Sequence, residues 1–161
     1  MESALVQAWR IHDRLVRYFI EAIPEPGWNS KAEKAKSVGD QFRHIHSVRL
    51  MWIKAIEPGA LEGLAKLEGD SRPEETTQAL RSSCEAIAAL VEKAVESGTR
   101  IKNFKPTTEA FVGYLISHES HHRGMAEMVL RQAGTPIDDK ASYGLWEWGA
   151  RATELATEDA G

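Results

Sequence analysis

The stretch Thr108–Ala133, TEAFVGYLISHESHHRGMAEMVLRQA, decides the fold. Phe111, Leu115, His118, His122, Met125 and Val129 recur at helical spacing. At about 100° per residue they fall within about 80° of one another, so they form one stripe. The pattern predicts a helix that starts near Thr107 or Thr108, after Pro106, and stops at Gly134 with Pro136 beyond. His118 and His122 are expected at the centre of its buried face, one turn apart. Histidine is costly to bury without partners. A pair at i, i+4 brings two imidazole nitrogens to where one divalent ion can bridge them. The competing reading is two core histidines bonded to other side chains or water. His121 points about 80–100° away and is read as a flank residue.

Working outward, three more segments carry the same period, and nothing alternates with period two. The first runs from about Ser3 to Ala22, with Leu5, Trp9, Val16 and Phe19 on its stripe, His12 in the middle, and Pro24 and Pro26 as breakers. The second begins at Ser37, where Ser37-Val-Gly-Asp40 reads as a capping box, and buries Phe42, Ile45, Val48, Trp52 and Ile56 before Pro58-Gly59. A loop of roughly a dozen residues follows, with a helical turn expected near Leu61 to Leu67. The third helix starts near Ser71-Arg-Pro-Glu74, buries Leu80, Cys84, Ile87, Val91 and Ala94, and ends at Gly98. Beyond Gly134, Tyr143, Leu145, Trp146 and Trp148 suggest a short fifth helix, with the two tryptophans covering one end of the bundle. The terminal ATELATEDAG is expected to be loose. The expected fold is all-α: a four-helix bundle with a short C-terminal extension, in one domain over residues 1–161.

Composition excludes several classes. The chain has 161 residues and a net charge of −4, with nothing to grip phosphate backbones, so no nucleic acid is expected. Lys31, Lys34 and Lys36 form too short a basic stretch to change this, and read as a solvated loop. No apolar run is long enough to span a membrane, and the N-terminus carries charge where a signal core would be apolar. A single cysteine, Cys84, excludes an internal disulfide and any cysteine-based zinc cluster, and the cytoplasm is the default location. On its apolar stripe Cys84 reads as a small buried hydrophobe.

The second helix offers His44-Ile-His46. Both imidazoles lie about 100° off the stripe, on opposite sides, so periodicity does not choose between them as a metal ligand. His12 is read as a buried histidine bonded to a partner, a group lining the metal cavity, or a fourth ligand. His118-Glu119-Ser120-His121-His122 also matches H-E-x-x-H, the metalloprotease signature. That motif belongs beside a β-sheet and needs a third ligand, and neither is visible here. Glu119 is left either as a proton carrier beside the metal or as a solvated helix acid.

Two segments make the pattern specific: His44-Ile-His-Ser-Val-Arg-Leu-Met-Trp52, and His118-Glu-Ser-His-His-Arg-Gly124 with Leu130-Arg-Gln-Ala-Gly134 after it. The sequence resembles the DinB-like (DinB/YfiT) family of four-helix bundles, whose pattern is a histidine eight residues before a tryptophan and a later H-x-x-x-H-R-G. The resemblance covers nearly the whole chain, although Met125 stands where the family usually has glutamine. It implies a metal triad of His44, His118 and His122, since Trp52 follows His44 by eight residues. It further implies zinc or nickel as the divalent metal ion, a homodimer, and transferase or isomerase reactions that use a low-molecular-weight thiol. Three neutral imidazoles leave the ion's charge undiminished and a coordination position open, so a small metal-dependent hydrolase or thiol transferase is expected, and the narrow cleft of a bundle suits a small-molecule substrate. A non-catalytic bundle with a structural metal is the alternative.

Overall fold

The computed structural model describes residues 1–160, which are helical apart from turns, loops and one isolated bridge between Lys31 and Ser37. Six α-helices follow in order: α1 (Ala4–Ala22), α2 (Val38–Ile56), α3 (Pro73–Ser97), α4 (Thr108–Gln132), α5 (Asp139–Gly144) and α6 (Trp148–Asp159). Local chemistry sets their ends. The Ser37 hydroxyl accepts from the Asp40 amide at 3.1 Å while the Ser37 amide donates to Asp40 Oδ2 at 3.3 Å, which satisfies two donors at the start of α2. Thr107 Oγ1 accepts from the Ala110 amide at the start of α4. Gly98 and Gly134 take φ of +63° and +75°, the left-handed stop after α3 and α4. The α3 cap is Arg72, within the expected start, and its amide donates to Glu75 Oε2.

The order in space, which periodicity left open, is α1–α3–α2–α4 around the bundle: α1 and α2 each pack against α3 and α4. His44 and His118 therefore sit on neighbouring helices. The apolar core is in two parts. One gathers Leu15, Val16, Phe19, Phe42, Ile45, Leu80 and Leu130, and the other Trp9, Ile53, Ile87, Val91, Phe111 and Leu115. Between them each of α1 to α4 contributes buried polar groups: His12 and Asp13, His46 and Arg49, Ser83, and Glu119.

Three expectations change. On α4 the buried stripe is Phe111, Leu115, Glu119, Ala126 and Leu130, while His118 and His122 are half-buried on its flank and Met125 is exposed. On α2 the buried stripe is Phe42, Ile45, His46, Arg49 and Ile53, with Val48, Trp52 and Ile56 half-buried beside it. Both shifts have one cause. Arg49 and Glu119 neutralise each other in the interior, and hydropathy alone does not reward such a pair. The tail differs too. The expected loose terminus is α6, packed on α1, where Glu158 accepts from Arg17 at 3.2 Å and Glu154 pairs with Arg14 at 2.8 Å. Trp146 is 80% exposed and covers nothing. No helix among the described residues is long and apolar enough to cross a membrane.

Candidate metal centre

His118 and His122 lie one turn apart on the edge of α4 that faces α2, and His44 lies on the edge of α2 that faces back. Their rings meet. The His44 centroid is 5.4 Å from that of His118 and 4.5 Å from that of His122, and the two α4 rings are 4.6 Å apart. One ring nitrogen from each lies within 4.8 Å of the other two. Nitrogen ligands about 2 Å from a common ion are separated by little more than 3 Å, so small side-chain rotations suffice to close the set.

Protonation favours the same chemistry. Burial, the Lys36 charge and the His118 ring lower the His44 pKa below the usual histidine value. Burial also lowers His118, against the opposing pull of Glu119. His122 drops to about 4, by burial and by crowding from the other two imidazoles. At neutral pH all three rings are uncharged and keep a lone pair. Gln41 Oε1 lies 2.7 Å from His122 Nδ1 and can only accept there, which sets that nitrogen as N–H and leaves Nε2 free. His118 Nδ1 is buried without a hydrogen-bond partner. Three neutral nitrogen donors, one oriented from behind and one buried and unpartnered, fit a divalent metal ion.

The walls of the site differ in character. On one side the Tyr114 ring stacks 6.3 Å from His118, Trp52 packs edge-on against Tyr114, and Phe104 and Phe111 pack edge-on against Trp52. On the other, His44 opens into a shallow depression of about 390 Å³ that it shares with Lys36, Asp40, Arg43, Ser47, Leu67 and Gly69.

The remaining histidines separate cleanly. His46 turns toward α3: its Nε2–H donates to the Ala65 carbonyl at 2.7 Å, and Nδ1 lies 3.1 Å from Ser83 Oγ. It ties down the loop between α2 and α3 and is not among the three clustered rings. His121 is exposed beside His122. His12 Nε2–H donates to Glu119 Oε2 at 2.9 Å, with both side chains 1% exposed.

Glu119 belongs to the interior rather than to solvent. Burial opposes its charged form, but Arg49 donates to both its oxygens, at 2.7 and 2.8 Å, and holds its pKa down at about 2. Arg49 also donates to Asp13 Oδ1 and the Leu80 carbonyl, lies over the Trp9 ring, and is 0% exposed. Asp13 in turn accepts from Arg17 at 2.8 Å. Sequence reasoning missed this cluster. Its trace was there: Arg49 sits four residues from both Ile45 and Ile53, in line with a buried stripe. Cys84 lies beside this layer, buried, with its thiol pKa pushed up by desolvation, as expected of a packing residue.

Residues 1–151 match the DinB family, and the chain belongs to it. Among curated proteins nothing matches. A DinB-like protein from Bacillus subtilis, of known crystal structure, is similar in fold: TM-score 0.59 and 22% identity, over 84% of this chain and 96% of that one.

Proposed function

We propose that this DinB-family bundle binds a divalent metal ion through His44, His118 and His122 and acts as a small metal-dependent enzyme. The observation that carries the proposal is the convergence of three neutral imidazoles from α2 and α4 with no fourth histidine, cysteine or carboxylate in the group among the described residues. Three protein ligands leave a position for a small molecule, the arrangement of catalytic rather than structural zinc sites. When bound, zinc or nickel supplies Lewis acidity, which suits hydrolysis or the activation of a low-molecular-weight thiol.

The protein's own groups then have separable tasks. Gln41 fixes the His122 tautomer. The aromatic wall around Trp52 and Tyr114 keeps one flank apolar. Glu119 and His12 are enclosed and satisfied by Arg49 and by each other, so they hold α4 in place rather than carry protons to the site.

A second copy of the chain is proposed to cover the outer face of α4. There Tyr114, Ser117, His121, Gly124, Met125 and Met128 are exposed at three- and four-residue spacing without a charge among them. Sedimentation of wild type and of Met128→Glu distinguishes a dimer from a monomer.

Elemental analysis of untagged protein after reloading tests the metal. About one ion per chain is expected, and none overturns the proposal. Melts with and without chelator test its role. A large loss of stability, with no small ligand able to reach the ion, assigns a structural clamp between α2 and α4 instead.

A further inference from the structure

The metal triad contains no carboxylate, and the two acids that adjoin it, Glu119 and Asp40, are already engaged. Glu119, next to His118 in sequence, faces Arg49 and His12. Asp40, in the depression beside His44, accepts from Arg43 at 2.9 Å and from the Ser37 hydroxyl at 2.8 Å. Arg43 is itself engaged, by Asp40 and by the Ser71 carbonyl at 2.8 Å. Lys36 is the exception. It lines the same depression, is exposed, and forms no ion pair among the described residues. Its backbone is held in place: Ser37 beside it caps α2 and bridges to Lys31, and the next amide, Val38, donates to the Ser30 carbonyl at 2.9 Å. Its charge reaches all three imidazoles and disfavours their protonation.

With a divalent cation in the triad, the site and its depression therefore carry positive charge that no free acid lining the depression offsets; Glu68 and Asp70, on either side of Gly69 at its rim, are exposed and are not part of the lining. We propose that the depression beside His44 is the seat for the anionic group of the small molecule this site takes, with Lys36 as its counter-charge. The class is a compound carrying a carboxylate, or an anion of similar size, a few bonds from its metal-binding atom. This rests on the metal proposal above. It predicts that Lys36 selects among ligands without holding the metal, because its ammonium group is not a donor to the ion.

The test uses cobalt-loaded protein and two probes with the same donor nitrogen: 1-methylimidazole, which is neutral, and imidazol-1-ylacetate, whose carboxylate lies on the far side of the ring and does not chelate. Binding is read from the visible cobalt spectrum at low ionic strength. Lys36→Met is expected to weaken imidazol-1-ylacetate about three- to fivefold, the strength of a solvent-exposed ion pair, and to leave 1-methylimidazole unchanged. Lys36→Glu weakens it further, Lys36→Arg restores it, and about 0.5 M salt erases the difference. If Lys36→Met shifts both probes equally, or neither, the inference falls while the metal centre stands. If wild type gives no histidine-dependent cobalt spectrum, the metal centre falls, and the inference with it.

Discussion

Replacing Arg49 by methionine removes a guanidinium that donates to both oxygens of Glu119, to Asp13 and to the Leu80 carbonyl. Two carboxylates, each 1% exposed, then keep only His12 and Arg17 respectively. Stranding buried charge in this way costs about 3–5 kcal/mol. Each kcal/mol moves Tm by about 2–4 °C in a chain of this length, so Tm should fall by about 6–20 °C. The pH dependence separates lost charge from lost packing. In wild type the Glu119 pKa is held at about 2, below its ordinary 4.5, so its pairing contributes stability above pH 4.5 that is lost as pH falls toward 2. In Arg49→Met, burial acts on Glu119 without that compensation, and its pKa rises. The carboxyl then takes a proton, and the gap to wild type narrows between about pH 7 and 4.5. Urea unfolding of the metal-free proteins at both pH values measures this. Arg49→Met/Glu119→Gln removes one stranded charge and should be more stable than Arg49→Met alone. A gap below about 1 kcal/mol at pH 7, or one equal at both pH values, refutes the argument for a buried ion pair.

Three other outcomes are expected. His44→Ala, His118→Ala and His122→Ala each abolish metal retention in elemental analysis. His46→Ala keeps the metal and speeds amide exchange around Ala65, where its anchoring bond is lost; the reverse pattern for His44 and His46 refutes the ligand assignment. Gln41→Leu leaves the His122 Nδ1–H without its acceptor and should weaken metal binding about 10- to 100-fold in a competition titration, with circular dichroism unchanged. The metal-free protein should lose stability as pH falls from 6.5 toward 4. All three triad histidines have folded pKa values below the unfolded one, so the unfolded chain takes up more protons in that window, and urea midpoints across it report the slope.

Helix existence and helix ends were legible in the sequence because their causes are local. Ser37 and Asp40 sit three residues apart, Gly98 and Gly134 accept a positive φ, and the i, i+4 spacing places His118 and His122 on one edge whatever surrounds them. The choice of His44 over His46 was legible only through the family pattern. Both sit on α2 one residue either side of Ile45, and which one meets α4 depends on helix order, a long-range property. Three features depended on tertiary structure in the same way. The rotation of α4 that moves His118 and His122 to the flank follows from Glu119 meeting Arg49 across the bundle. The ordering of α6 follows from Glu158 and Glu154 meeting Arg17 and Arg14, more than a hundred residues earlier in the chain. The third ring of the cluster is contributed by a helix that is not α4's neighbour in sequence. Hydropathy and spacing report what a residue does with its own helix. They carry no term for a charge that is neutralised, or a lone pair that is shared, only once distant segments have packed together.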